Sequence, residues 1–153
     1  MTSVEPAHRW GVRAVAGPGR TARVLGRARG FEIEEQAGFR HDPAHASALE
    51  HLLGALAGDV VIGFLEAAAR AGLEVDAAEI SLQASLENAL VHLGVVGERG
   101  SPALAAVEGS LYVSAAADRA ALESALAAAL AAAPVHATLA RATRVTIELK
   151  PVR

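Results

Sequence analysis

The sequence predicts an α+β fold arranged as a single domain over residues 1–153, and three observations carry that reading. Apolar and polar residues alternate before residue 35, again around residues 80–87 and 111–113, and once more at residues 144–149. Apolar residues at helical spacing fill the stretch from Leu49 to Leu65, and an alanine-rich helical pattern precedes the last alternating run. Strands that are neighbours in sequence, with helices in separate blocks, mark α+β rather than strictly alternating α/β.

Trp10 to Val15 and Thr21 to Leu25 read as strands joined through Gly17-Pro18-Gly19, and Phe31-Glu32-Ile33-Glu34 alternates as a third. Together they predict an N-terminal β-meander. Asp42 and Pro43 break the pattern. Ser47 is then placed to cap a helix, with Glu50 three residues on as its capping-box partner. Leu49, Leu52, Leu53, Leu56, Val60, Phe64 and Leu65 give that helix an apolar face, and Gly72 is placed to end it. Ile80, Leu82, Ala84 and Leu86 form one side of the next strand, and Leu111 and Val113 one side of the strand after it. The connection from Asn88 to Ala106 is rich in glycine and reads as a loop or as an excursion at a subunit edge. Asp118 caps a helix running to about Ala132, Pro134 opens a short further helix, and Arg144 to Leu149 closes the chain as a strand.

With 52% hydrophobic residues, the chain can bury a core, but only 3% is aromatic, so that core must be aliphatic and alanine-lined. A second copy would supply further burial. The net charge of −3 offers no broad basic field for a phosphate backbone, and no nucleic-acid partner is expected. All but one of the 14 basic residues are arginine, and Arg20, Arg23, Arg27 and Arg29 cluster early; such a run most simply forms a solvated face. No uncharged apolar run reaches the ~18 residues of a bilayer span, so no membrane partner and a cytoplasmic location are expected. With no cysteine, disulfides, thiolate metal sites and thiol nucleophiles are excluded.

Two segments together resemble the OsmC-like family, named for the osmotically inducible protein C and including the organic hydroperoxide resistance proteins. The first is Ala48-Leu49-Glu50-His51-Leu52-Leu53-Gly54-Ala55-Leu56-Ala57-Gly58, and the second is Ala133-Pro134-Val135-His136-Ala137-Thr138-Leu139. The resemblance implies an interlaced homodimer with two sites at its interface. It also implies a peroxidatic cysteine where this chain has Asp59 and a resolving cysteine where it has Ala133. A glutamate and an arginine that support the thiolate in the family are matched here by Glu50 and, upstream, by Arg40.

Asp59 falls on the apolar side of its helix, where a carboxylate needs a partner. Three roles are open to it: a structural hydrogen bond or ion pair with Arg40, Arg141 or a partner subunit, contact with a small organic ligand, and acid/base catalysis with His136 or Arg40. The candidate catalytic residues are therefore Asp59 and His136, and the candidate ligand-binding residues are Arg40, Glu50, Asp59, Ala133 and His136. Glu50 has the competing structural role of a capping-box residue. His41, Asp42, His45 and His51 do not have the spacing of a metal motif, so no metal is expected. The glycines from Gly94 to Gly100 precede no helix suited to phosphate binding, and no cofactor is expected. Function thus lies between a ligand-binding, cysteine-less family member, a non-thiol enzyme, and a structural or interaction module.

Overall fold

The structure, a computed structural model, describes residues 9–35 and 43–152. Contacts group the chain into two compact units, Met1–His51 and Leu52–Arg153.

In the first unit, β1 (Arg13–Ala16), β2 (Thr21–Leu25) and β3 (Gly30–Glu34) form an antiparallel sheet in that order. The first strand starts later than predicted, leaving Trp10 and Val12 outside it and exposed. Register places Ala14, Ala22, Val24, Phe31 and Ile33 on one side, and Arg13, Arg23, Glu32 and Glu34 on the other. Among the described residues, Val24 is the one buried side chain of this unit.

The first turn of α1 (Ala48–Arg70) belongs to this unit and is fixed by the predicted capping box. Glu50 Oε2 accepts from both the backbone N–H and the hydroxyl of Ser47 at 2.7 Å, and the Ser47 hydroxyl accepts from the Glu50 N–H at 3.2 Å. At the other end, Gly72 has φ 71°, the Leu73 N–H reaches the Ala68 carbonyl at 2.9 Å, and the Gly72 N–H reaches that of Ala69 at 3.1 Å. This is a Schellman closure, for which glycine is suited because it adopts positive φ without steric cost.

The second unit carries the core. β4 (Val75–Leu86) pairs antiparallel with β5 (Leu104–Ala115), which pairs parallel with β6 (Arg144–Val152). A parallel pair needs a long crossover, and α3 (Arg119–Ala132) with α4 (Pro134–Leu139) supplies it. Leu56, Val60 and Phe64 of α1 share one cluster with Val107, Leu111 and Val113 of β5, Leu149 of β6, and Leu122 and Leu126 of α3. Gly109 sits in that face of β5 because a Cβ there would collide with the Ser81 carbonyl oxygen and approach the Leu82 side chain.

Three expectations are corrected here. Leu65 is 42% exposed and Ile62 61% exposed, so the buried row of α1 is narrower than the apolar pattern suggested. β4 begins at Val75, and β5 takes in Leu104–Ala106, shortening the connection between them. That connection also holds a short helix, α2 (Ala89–His92), capped by the Asn88 side chain. The sequence signals of α2 are brief and masked by three flanking glycines.

By length and composition α1 could cross a membrane. It also carries Asp59 and Glu66, and its buried row lies in the core of the second unit, as a core helix requires.

Candidate functional site

The geometry around Asp59 follows from how α4 begins. Ala133 is the residue between α3 and α4, is buried, and has φ −79° and ψ 112°, which breaks the helix. The first N–H groups of any helix lack intrahelical acceptors and are usually met by an N-cap side chain. Ala133 has no such side chain, and Pro134 at the first position has no N–H to satisfy. The two donors that remain are those of Val135 and His136. Asp59 Oδ2 accepts from both, at 2.8 and 3.3 Å. The carboxylate thus acts as an N-cap supplied by a different helix, and the half-buried side chain has the partner that its position demands. The remaining first-turn group is regular, since the Ala137 N–H reaches the Ala133 carbonyl at 2.9 Å.

Asp59 also borders a cavity of about 280 Å³ between α1 and the α3–α4 junction. Its α1 wall is Asp59, Ile62, Gly63, Glu66 and Arg70, and the facing wall is Ala129, Ala132, Ala133 and Pro134. Arg70 Nη1 lies 3.8 Å from Glu66 Oε2, one turn apart on the exposed side of the helix. The cavity therefore has an aliphatic wall opposite a charged one.

Of the residues singled out in the sequence, Asp59 and Ala133 share this cavity. His136 contributes its backbone N–H to Asp59, while its ring Nδ1 lies 3.1 Å from the Leu130 carbonyl. A carbonyl can only accept, so that contact requires a proton on Nδ1. Glu50 is exposed and engaged with Ser47; hydrogen bonds from the Ser47 N–H and hydroxyl, with the nearby His51, hold its carboxyl below the usual glutamate range despite slight desolvation. Arg40 lies outside the described residues.

Among the described residues no group of three or more His, Asp or Glu gathers as a metal site would require, and His41 and Asp42 lie outside them. His45 Nε2 instead meets Glu32 Oε2 at 2.9 Å, and His51 Nε2 donates to the Glu32 carbonyl at 3.2 Å while its ring packs on Phe31 with centroids 4.4 Å apart.

Ile62, Glu66 and Arg70 were not anticipated as lining residues. Their spacing from Asp59 along α1 places them on its side of the helix, but the facing wall of alanines from α3 has no sequence signal.

The family model for OsmC-like protein matches residues 41–148. A search of curated proteins finds no match. Among solved structures, an OsmC-like protein from Mycoplasma pneumoniae superposes with a TM-score of 0.81 at 12% identity, covering 97% of this chain and 100% of that one. A hypothetical protein from Aquifex aeolicus gives 0.77 at 14% identity, with 95% and 97% covered. The organic hydroperoxide resistance protein OhrB of Bacillus subtilis gives 0.65 at 18% identity, with 95% and 100% covered.

Proposed function

The chain belongs to the OsmC-like family, and from that premise we propose that it is a homodimer that has left thiol chemistry and binds a small organic ligand in the cavity beside Asp59. The absence of cysteine removes the thiolate that peroxide reduction by this scaffold would need. The observation that carries the reading is the double placement of Asp59. At the position where the family resemblance implies a reactive cysteine, a carboxylate caps α4 and faces a cavity whose other wall includes Ala133, the implied position of the second cysteine.

Dimerisation is supported by surfaces that a single chain leaves uncovered. Gly54 and Gly58 lie one turn apart on α1, and a Cβ on either would meet nothing within 4 Å. Ile62 and Leu65 continue that stripe and are exposed. Small residues beside apolar ones allow close helix approach, and the N-terminal meander buries little of its own apolar side. A cytoplasmic location belongs to the same proposal.

Native mass spectrometry of the purified protein tests it. A dimer mass with a retained small molecule is expected; a bare monomer would count against both assembly and binding. Turnover of an organic hydroperoxide by the metal-free protein with a dithiol reductant would contradict the loss of peroxidase function.

A second reading, acid/base catalysis by Asp59 with His136, rests on the shared cap and on the His136 tautomer fixed at Leu130, which leaves Nε2 as the basic nitrogen of the neutral ring. Loss of turnover in both Asp59→Asn and His136→Gln, for any substrate found, would favour it.

A further inference from the structure

We infer that the ligand of the Asp59 cavity is a small organic cation, a primary ammonium on a compact apolar body; this rests on the binding role proposed above. The charge that selects it is half of one carboxylate. Oδ2 of Asp59 takes the N–H groups of Val135 and His136, whereas Oδ1 accepts no hydrogen bond among the described residues. An ionised carboxylate has about four acceptor sites on its two oxygens, so capping α4 leaves acceptor capacity on Asp59, which lines the cavity. Glu66 and Arg70, the other charged groups of the wall, are paired with each other. Their mutual neutralisation leaves Asp59 as the net charge of the lining.

An ammonium group supplies three donors and the opposite charge, and a charge-assisted hydrogen bond is stronger than a neutral one. An anion would meet the Asp59 charge and find the α4 donors already taken. A neutral alcohol gains a hydrogen bond but not the Coulomb term. Across the cavity, Ala129, Ala132 and Pro134 present methyl and methylene groups suited to a hydrocarbon body. The volume of about 280 Å³ lies at the small end for ligand sites, which calls for a fragment-sized molecule.

The side chain allows an unusually clean substitution. Asparagine caps helices as well as aspartate does, so Asp59→Asn keeps an oxygen for Val135 and His136 while removing the charge. The test is calorimetric titration of the full chain with benzylamine, benzyl alcohol and benzoate, at a pH where the amine is protonated, on wild type and Asp59→Asn. Benzylamine should bind the wild type at least tenfold more tightly than benzyl alcohol and at least tenfold more tightly than it binds Asp59→Asn, with benzoate weaker still. The thermal midpoint of the variant should stay near that of the wild type. Equal binding of amine and alcohol would overturn the cation assignment and leave the cavity as a binding site. Equal binding of the amine to both proteins would also overturn it. Failure of all three probes to bind the wild type would overturn the cation assignment together with the binding role.

Discussion

Asp59 Oδ2 lies 2.8 Å from the backbone nitrogen of Val135, 76 residues further along the chain, and that contact joins the residue directly after the Ala48–Gly58 segment to the Ala133–Leu139 segment. It ties the middle of α1 to the first turn of α4, so Asp59 has a structural task that needs no reaction.

Removing that task has a definite cost. Asp59→Ala leaves two first-turn N–H groups without their acceptor and should destabilise the chain by about 1–2 kcal/mol, the range for loss of an N-cap. Asp59→Asn should cost no more than a few tenths of that. Chemical unfolding of the two variants beside wild type checks the difference, and equal losses would show that charge, not hydrogen bonding, holds the segments together.

Much of this arrangement was legible beforehand in outline. Ser47, Glu50, Gly72, Asp118 and Pro134 announce helix ends by local chemistry, and each stands where that chemistry places it. The carboxylate of Asp59 was expected to need a partner. The identity of that partner is not readable from the sequence, because backbone N–H groups carry no side-chain signature, whereas Arg40 and Arg141 announce their charge. The exposed stripe of α1 was also hidden, since Ile62 and Leu65 have the same hydrophobicity as the buried Val60 and Phe64. Periodicity describes an apolar face, but packing decides how much of it one chain covers.

The capping box of α1 should titrate. Hydrogen bonds from Ser47 hold the Glu50 carboxyl below its usual range, so its folded pKa lies under that of the unfolded chain. Its stabilising contribution is therefore fully present above the unfolded glutamate pKa of about 4.3 and is lost as pH falls through the lower folded value. The stability difference between wild type and Glu50→Gln should be flat near neutral pH and shrink in acid. Ser47→Ala should cost about 0.5–2 kcal/mol at pH 7 and should weaken that acid dependence.

Two kinds of glycine should respond in opposite ways to alanine. At Gly109 the added methyl would strike the Ser81 carbonyl and the Leu82 side chain, costing about 1–3 kcal/mol or more by overpacking. At Gly54 or Gly58 a single chain has open space, and the helix itself should gain about 0.5–1 kcal/mol. Sedimentation of Gly54→Ala and Gly58→Ala proteins is then informative. The proposed homodimer should be weakened, because the methyl would obstruct close approach of a second copy, and an unchanged association constant would contradict an interface at Gly54 and Gly58.

Asn88 organises the turn between β4 and β5 with both ends of its amide. Its Oδ1 accepts from Leu90 N–H at 2.9 Å, and its Nδ2 donates to Glu98 Oε2 at 3.3 Å and to the Arg99 carbonyl at 3.2 Å. Asn88→Ala should cost about 1 kcal/mol or more and raise amide exchange from Leu90 to Arg99 while leaving the α1 core protected. Uniform loss of protection would instead make this turn part of the global folding unit.

The most direct measurement of the role given to Asp59 is amide hydrogen exchange at Val135 and His136, resolved by NMR in wild type, Asp59→Asn and Asp59→Ala. Slow exchange at both amides in wild type and Asp59→Asn, and fast exchange in Asp59→Ala with the α3 amides still protected, is the expected result. Unchanged slow exchange at Val135 and His136 in Asp59→Ala would contradict it, because those donors would then be held by something other than the carboxylate of α1.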